Sequence, residues 1–184
     1  YDWMGSATDT HNAPLVIPLL LGARAPGDWA AAKTILEQEF DLQVVEEDVP
    51  FGNGSLFLVN YKSQSRLWKG GSELQKRVLC QSRGSIFERE TYRCICLPFI
   101  KFWCANEPHA AKIAGPWNSK VCVGEKLDGS LMKVFHYKGQ WRLASNSRLN
   151  VDEPRASLNG RTHRQLFEEA ATGGLAMLEP RLNP

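Results

Sequence analysis

The sequence lacks an apolar run long enough to cross a membrane. Its longest apolar run extends from Leu15 to Leu21 and is interrupted by Pro18, whereas a spanning helix needs about 20 consecutive apolar residues. The chain starts at Tyr1, and no basic stretch followed by an apolar stretch marks a signal peptide. The sequence therefore predicts a protein without a membrane partner.

Cysteine is sparse, and its pattern does not indicate a metal site. The chain has five cysteines, an odd number, and none of them forms the two-residue spacing of a zinc knuckle. We therefore expect reduced, mostly buried thiols rather than a disulfide framework. This favours a cytoplasmic or nuclear location. The cysteines are Cys80, Cys94, Cys96, Cys104 and Cys122.

Two common catalytic signatures are also missing. No Gly-x-x-x-x-Gly-Lys-Ser/Thr loop is present, which excludes a P-loop protein. The four histidines have no mutual spacing that indicates a metal site or a catalytic triad. Ser130 follows a glycine but has no recognisable histidine partner, so a serine hydrolase is disfavoured.

The net charge is small. With 22 basic and 20 acidic residues, the formal charge is +2, too little to indicate nucleic-acid binding by itself. A local cluster formed by Lys69, Lys76, Arg77 and Arg83 leaves two interpretations open. It is either a solvated face or a track for a phosphate backbone.

The pattern along the 184 residues predicts an α+β fold in which antiparallel strands dominate the second half. Asp28 should cap a helix that runs to about Phe40, and Thr162 a helix from 163 to 172. A turn at Lys138-Gly139 should join strands 131–137 and 141–145 into a hairpin. The other expected strands are 16–21 (or an apolar lead-in), 43–50, 55–61, 77–80, 85–88, 92–99 and 120–126, with a surface loop at 62–75.

The segment most suggestive of chemistry is residues 125–130, which read EKLDGS. Lys126 is expected where a strand meets a tight turn, and a rigid backbone there suits a positioned nucleophile. A lysine amine attacks well once burial or cationic neighbours tune it toward neutrality. Asp128 should point to the same side of an extended chain as Lys126, and Gly129 allows the backbone to turn near a ligand. The bland alternative is a surface turn with an incidental lysine.

Two earlier segments favour the chemical interpretation. Residues 82–88 read SRGSIFE, and residues 97–103 read LPFIKFW, with Asn106-Glu107 just after. In these three ordered segments the chain resembles the phage-type ATP-dependent RNA ligases. These belong to the covalent nucleotidyltransferase superfamily, with DNA ligases and mRNA capping enzymes. The resemblance covers about residues 77–150 well and residues 55–76 loosely.

The resemblance implies a role for each matching residue. Lys126 would be the nucleophile that carries AMP, and Asp128 would orient the lysine or a metal-bound water. Arg83 and Lys101 would contact the phosphates of ATP, and Glu125 lies beside the position that reads adenine. Magnesium ions would screen the triphosphate. Gly129 would let the backbone approach the nucleotide.

Other interpretations of the same side chains stay open. Arg83 could be a solvated turn residue, and Lys101 could be an edge residue whose stem covers apolar surface. Phe99, Phe102 and Trp103 are expected in the core rather than as platforms for stacked bases.

The pattern departs from the family in two places. Asn146 stands where members commonly carry a lysine, although Arg148 is a possible substitute. Glu179 matches the glutamate that contacts the ribose, and the chain ends five residues later. The family's later motifs, a metal-binding carboxylate and a paired-lysine strand, are therefore expected to be missing. We interpret the chain as a C-terminally incomplete adenylylation domain.

The sequence thus predicts an ATP-grasp-like nucleotidyltransferase domain in residues 55–184, with antiparallel sheets, flanking helices and an N-terminal region, 1–54, of unknown role. The expected activity is ATP- and Mg²⁺-dependent joining of 5′-phosphate to 3′-hydroxyl ends of RNA. Two alternatives remain: a DNA ligase or capping guanylyltransferase with the same first step, and a non-catalytic nucleotide- or RNA-binding module. The oligomeric state is not predicted.

Overall fold

The computed structural model describes residues 15–48, 55–104, 107, 110, 124–154 and 158–171. The elements are α1 (Val16–Arg24), α2 (Trp29–Thr34, continued by a π-helical turn, Ile35–Glu39), β1 (Leu42–Asp48), β2 (Ser55–Tyr61), α3 (Leu67–Gly70), α4 (Glu73–Gln81), β3 (Arg83–Glu88), β4 (Cys94–Cys96), β5 (Met132–Tyr137), β6 (Gln140–Ser145) and α5 (His163–Ala170). None of the helices in the described part has the length and hydropathy of a membrane span. The expectation of an α+β fold with antiparallel sheets and flanking helices is confirmed at this level.

The N-terminal apolar segment forms helix α1, so the expected strand at 16–21 is wrong. Pro18 lies in the first turn of α1, where the backbone has no intrahelical hydrogen bond to lose. The Val16 N–H instead donates to the Gln81 side chain, 2.8 Å away. That contact spans 65 positions, so a local reading of the sequence does not show it.

The second helix begins as expected. The Asp28 carboxylate accepts a hydrogen bond from the Ala31 N–H at 3.0 Å and caps α2. Ala32, Leu36 and Phe40 are buried along one face of the helix and its π-helical turn. This face packs against the four-stranded sheet.

The four-stranded sheet has the order β1-β2-β3-β4, and every pair is antiparallel. Because side chains alternate along a strand, its two faces bury different residues. One face, which includes Phe57 and Phe87, packs on the helices. The other face, which includes Leu58 and Ile86, packs on the β5–β6 hairpin. The boundary proposed at 54/55 falls between β1 and β2, which pair along their whole length.

Residues 62–81 differ from the expectation. The surface loop at 62–75 and the strand at 77–80 are both wrong, because α3 and α4 occupy this region. Ser72 and Gln75 form a capping box, in which each side chain accepts a hydrogen bond from the other's backbone N–H. The capping box starts α4, and the helix then buries Val78 and Leu79 in the core.

The alanine variant of Ser72 tests the role of this cap. We expect Ser72→Ala to lower the free energy of unfolding by about 1 kcal/mol, because the Gln75 N–H loses its acceptor. Urea unfolding followed by circular dichroism measures the change. Ser63→Ala, at an exposed turn position, is the control and should leave the stability unchanged. Equal losses in the two variants would contradict the cap.

One other strand is shorter than expected, whereas the hairpin and last helix agree with the sequence. The strand expected at 92–99 is reduced to β4. Of the strand expected at 120–126, residues 124–126 are irregular, and residues 120–123 lie outside the described residues. The hairpin forms around Lys138 and Gly139, with φ of 48° and 78°, a pattern typical of a type I′ turn. Thr162 caps α5 through a second capping box. Residues 43–48 and 55–61 form β1 and β2 as expected.

The cysteines in the described part of the chain are free thiols, but the expectation that most are buried is wrong, because only Cys80 is buried. They are Cys80, Cys94, Cys96 and Cys104, while Cys122 lies outside the described residues. Burial raises the pKa of Cys80 and of Cys94 to about 11 in each case. Both thiols are therefore protonated and poorly nucleophilic near neutral pH.

Candidate functional site

Several of the residues singled out in the sequence meet at one end of the two sheets. Asn60, near the end of β2, pairs with Arg83 at the start of β3. The Asn60 side chain donates to the main-chain oxygen of Asn146, which follows β6, at 3.1 Å. Lys133, near the start of β5, donates to the main-chain oxygen of Gly84 at 2.5 Å. We call this end of the structure the junction.

Two of the predicted phosphate-binding residues both contact Phe102 beside the junction, one through its ring and one through its main-chain oxygen. The Arg83 guanidinium lies over the Phe102 ring, 4.6 Å from its centroid. The Lys101 ammonium donates to the Phe102 main-chain oxygen at 2.9 Å and lies 4.0 Å from the centroid of the Trp103 ring. Neither cation forms an ion pair with a carboxylate of the described residues. Both therefore remain available to an anionic ligand.

The position of Lys101 is fixed by the chain around it. Its backbone N–H donates to the main-chain oxygen of Cys80 in α4 at 2.8 Å. This bond holds the irregular segment that follows β4 against the C-terminal turn of α4. The segment that contains Lys101 therefore lies close to the end of α4, which immediately precedes Arg83.

The aromatic side chains of this segment are more exposed than expected. Phe99 is 51% exposed and Phe102 is 48% exposed, so the expectation that they belong to the core is wrong. Their rings meet edge to face with centroids 6.5 Å apart. Trp103 is half-buried and contacts Trp68, with centroids 5.1 Å apart. The Phe99 and Phe102 rings thus present aromatic surface next to two cations, an arrangement that suits stacked bases.

Sequence reasoning did not identify Lys133 as a site residue. Lys133 is 4% exposed and lies on the same face of β5 as Phe135 and Tyr137, pointing toward the four-stranded sheet. Burial lowers its pKa from the ordinary value of 10.5 to about 8, opposed by the neighbouring Cys96 thiol. Within the described residues, no carboxylate forms an ion pair with it. A lysine at an inward position of an alternating strand was the signal available in the sequence.

Gly84 is the residue around which the junction is built. Its φ of 77° is a conformation that glycine adopts without strain. A Cβ atom there would lie 2.6 Å from the main-chain oxygen of Asn146 and 3.2 Å from the Lys133 ammonium nitrogen. The Asn146 side-chain oxygen is buried and accepts no hydrogen bond from the described residues. Asn146, the departure noted in the sequence, thus lies beside Gly84 and Lys133.

Lys126 lies in an irregular segment that leads into β5. Its side chain is 73% exposed, so the burial considered as a means of activating the amine is not present. The Lys126 ammonium is 3.8 Å from the fully exposed Asp128 carboxylate, an arrangement that contributes little energy in water. Glu125 and Gly129 are also exposed, and Gly129 has a φ of 147° with open space around it. Glu179 lies outside the described residues.

Within the described part of the chain, no group of three or more His, Cys, Asp or Glu side chains could hold a metal ion. Magnesium in nucleotide sites usually needs fewer protein ligands, because the phosphates and water provide most of its coordination. The exposed Asp128 carboxylate next to Lys126 fits that requirement.

The chain was compared with family models, curated proteins and solved structures. No family model, no curated protein and no solved structure matches it.

Proposed function

We propose that this chain carries the adenylylation site of an ATP-dependent polynucleotide ligase, with RNA as the substrate and Lys126 as the nucleophile. One observation carries the proposal. Arg83 and Lys101, which lie 18 positions apart in the sequence, both contact Phe102 and have no carboxylate partner among the described residues. These are the two cations that the resemblance assigns to the phosphates of ATP.

The proposed reaction has three balanced steps. The neutral Lys126 amine attacks the α-phosphorus of ATP, forming a P–N bond as the P–O bond to pyrophosphate breaks and the amine loses a proton to solvent. A 5′-phosphate oxygen then attacks the same phosphorus and forms a 5′–5′ pyrophosphate linkage, as the P–N bond breaks and the lysine nitrogen takes up a proton from solvent. Finally, a 3′-hydroxyl attacks the 5′-phosphate and loses its proton to solvent, as the P–O bond to AMP breaks and AMP leaves.

The positive charges of Arg83 and Lys101 would assist the first step. Negative charge accumulates on the leaving pyrophosphate, and the fixed guanidinium and ammonium groups of Arg83 and Lys101 would stabilise it. Asp128 and the nucleotide phosphates would hold a magnesium ion, which lowers the repulsion between the phosphates and an incoming nucleophile. Since Lys126 is exposed in the ligand-free chain, nucleotide and metal binding would have to bring it to the phosphate. A reducing, intracellular location is part of the same proposal.

A second candidate is a non-catalytic nucleotide- or RNA-binding module. The exposure of Lys126 favours it, because the burial that can activate a lysine amine as a nucleophile is not present. The exposed Phe99 and Phe102 rings beside Arg83 would serve either function. The two candidates differ in whether AMP becomes covalently attached.

Labelled nucleotide distinguishes these candidates. The chain, and a C-terminally extended form, are incubated with magnesium and ATP labelled at the α- or the γ-phosphate, and denatured protein is examined for retained label. We expect the α-label to be retained and the γ-label to be lost, because pyrophosphate leaves. Retention of neither label by either form overturns the ligase proposal. Assays with nicked RNA, DNA and hybrid duplexes then identify the polynucleotide.

A further inference from the structure

We propose that Lys133 is a positioning residue, which holds the Arg83–Gly84 segment in the orientation that binds the phosphates of a nucleoside triphosphate. This inference rests on the proposed function and adds a residue that the resemblance does not assign. Its basis is the hydrogen bond from the Lys133 ammonium to the Gly84 main-chain oxygen, formed across the two sheets.

Gly84 of β3 contacts the hairpin at two points. Lys133 of β5 contacts its carbonyl, and Asn146, just beyond β6, contacts its α-carbon side. Asn60 donates to the same Asn146 oxygen and ties β2 to this arrangement. The β2–β3 register shifts between Val59 and Asn60, so the regular ladder is interrupted beside Arg83. Because the ladder is interrupted, the hydrogen bonds of the sheet restrain the backbone of this segment less than in a regular strand. The contacts with the hairpin provide additional restraint.

The direction of the Arg83 side chain depends on the backbone conformation of Gly84, the next residue of β3. Glycine at a φ of 77° has access to many conformations, and only its neighbours restrict it. Because Lys133 bonds to the Gly84 carbonyl, it selects one of these conformations. In that conformation the Arg83 guanidinium lies over Phe102, next to Lys101.

Burying the Lys133 ammonium costs desolvation free energy, and one hydrogen bond to a carbonyl offsets only part of that cost. Lys133 is 4% exposed and has no acidic partner among the described residues. The bond to Gly84 is the only hydrogen bond of its ammonium to a described residue. An apolar side chain would fill the same space without desolvating a charge. A charged donor at this point fits a role in placing Arg83 better than a role in stabilising the sheets.

A double-mutant cycle tests the inference with inorganic tripolyphosphate as the probe. Its affinity is measured by calorimetry for the unmodified chain, Arg83→Ala, Lys133→Met and the double variant. We expect each single variant to weaken binding about tenfold, and the double variant to bind no more weakly than Arg83→Ala. Lys138→Met, in the exposed turn that follows β5, removes the same charge and should leave the affinity unchanged. Lys133→Gln provides a second variant should Lys133→Met fail to fold.

Three outcomes would overturn the inference. They are unchanged affinity in folded Lys133 variants, losses that add in the double variant, and absence of tripolyphosphate binding to the unmodified chain. Additive losses would mean that Lys133 acts independently of Arg83. Failure of the proposed function has a different signature: the cycle behaves as expected, yet no AMP becomes attached to Lys126.

Discussion

Replacement of Lys126 by alanine is expected to lower covalent AMP retention by roughly 10⁴-fold or more, because the variant lacks the proposed nucleophile. Lys126→Arg should lose as much, since a guanidinium stays protonated and does not attack phosphorus. Non-covalent ATP binding should change only slightly. The free energy of unfolding should stay within about 0.5 kcal/mol, because the Lys126 side chain is 73% exposed. Labelling, equilibrium binding and urea unfolding measure these three quantities separately.

The matched control is Lys138→Ala, another exposed lysine in a turn. It should retain the full label. Retention of label by Lys126→Ala would mean that a different residue carries AMP, and mass spectrometry of the labelled peptide would then identify it. Loss of both labelling and folding in Lys126→Ala would contradict the exposed position of this side chain.

The stability difference between the unmodified chain and Lys133→Met is expected to depend on pH. Burial lowers the Lys133 pKa from 10.5 to about 8 in the folded chain. Between these values the unfolded chain binds more protons than the folded chain, so the free energy of unfolding rises with pH. Below pH 8 both states are protonated, and the full cost of the buried charge is present. The difference should therefore shift by about 2 to 3 kcal/mol in favour of the unmodified chain between pH 7 and pH 10.

The comparison with Lys133→Met cancels other groups that titrate in the same range. Cys80 and Cys94 have raised pKa values and act in the opposite direction, but they are present in both proteins. Cys96 lies near Lys133 and opposes the lowering of its pKa, so Cys96→Ala in both backgrounds provides a check. A difference that stays constant from pH 7 to pH 10 would show that Lys133 is not desolvated.

Local signals predicted the parts of the fold that local interactions decide. Asp28 and Thr162 were identified as helix caps, and each accepts a backbone hydrogen bond three residues on. The β5–β6 hairpin follows from the turn at Lys138-Gly139. By contrast, α1 depends on a distant acceptor, Gln81. Within the segment 77–80 only residues 78–80 are apolar, and such a short run suits a strand or a helix equally well.

The candidate site was predictable only in part, for a similar reason. Arg83 and Lys101 are recognised from their motifs. In the structure Arg83 lies over the Phe102 ring, and Lys101 donates to the Phe102 main-chain oxygen. Lys133 was missed because its importance comes from Gly84, 49 positions earlier in the chain. Lys126 was expected at a strand end, whereas residues 124–131 are irregular. Phe99 and Phe102 are exposed because no other element of the described chain covers them fully. The hydrophobicity of a side chain does not show whether another element will pack on it.

The apolar layer between the two sheets is bounded by a polar contact at each end. Lys133 bonds to Gly84 at one end, and the Tyr137 hydroxyl donates to Glu88 at the other, at 2.9 Å. The four residue steps between Lys133 and Tyr137 span about 13 Å of strand. Sliding the hairpin by two residues would keep its apolar side chains facing inward but would break both polar contacts. The paired contacts thus select one alignment of the hairpin on the sheet, and they fix the number of residues between Lys133 and Tyr137.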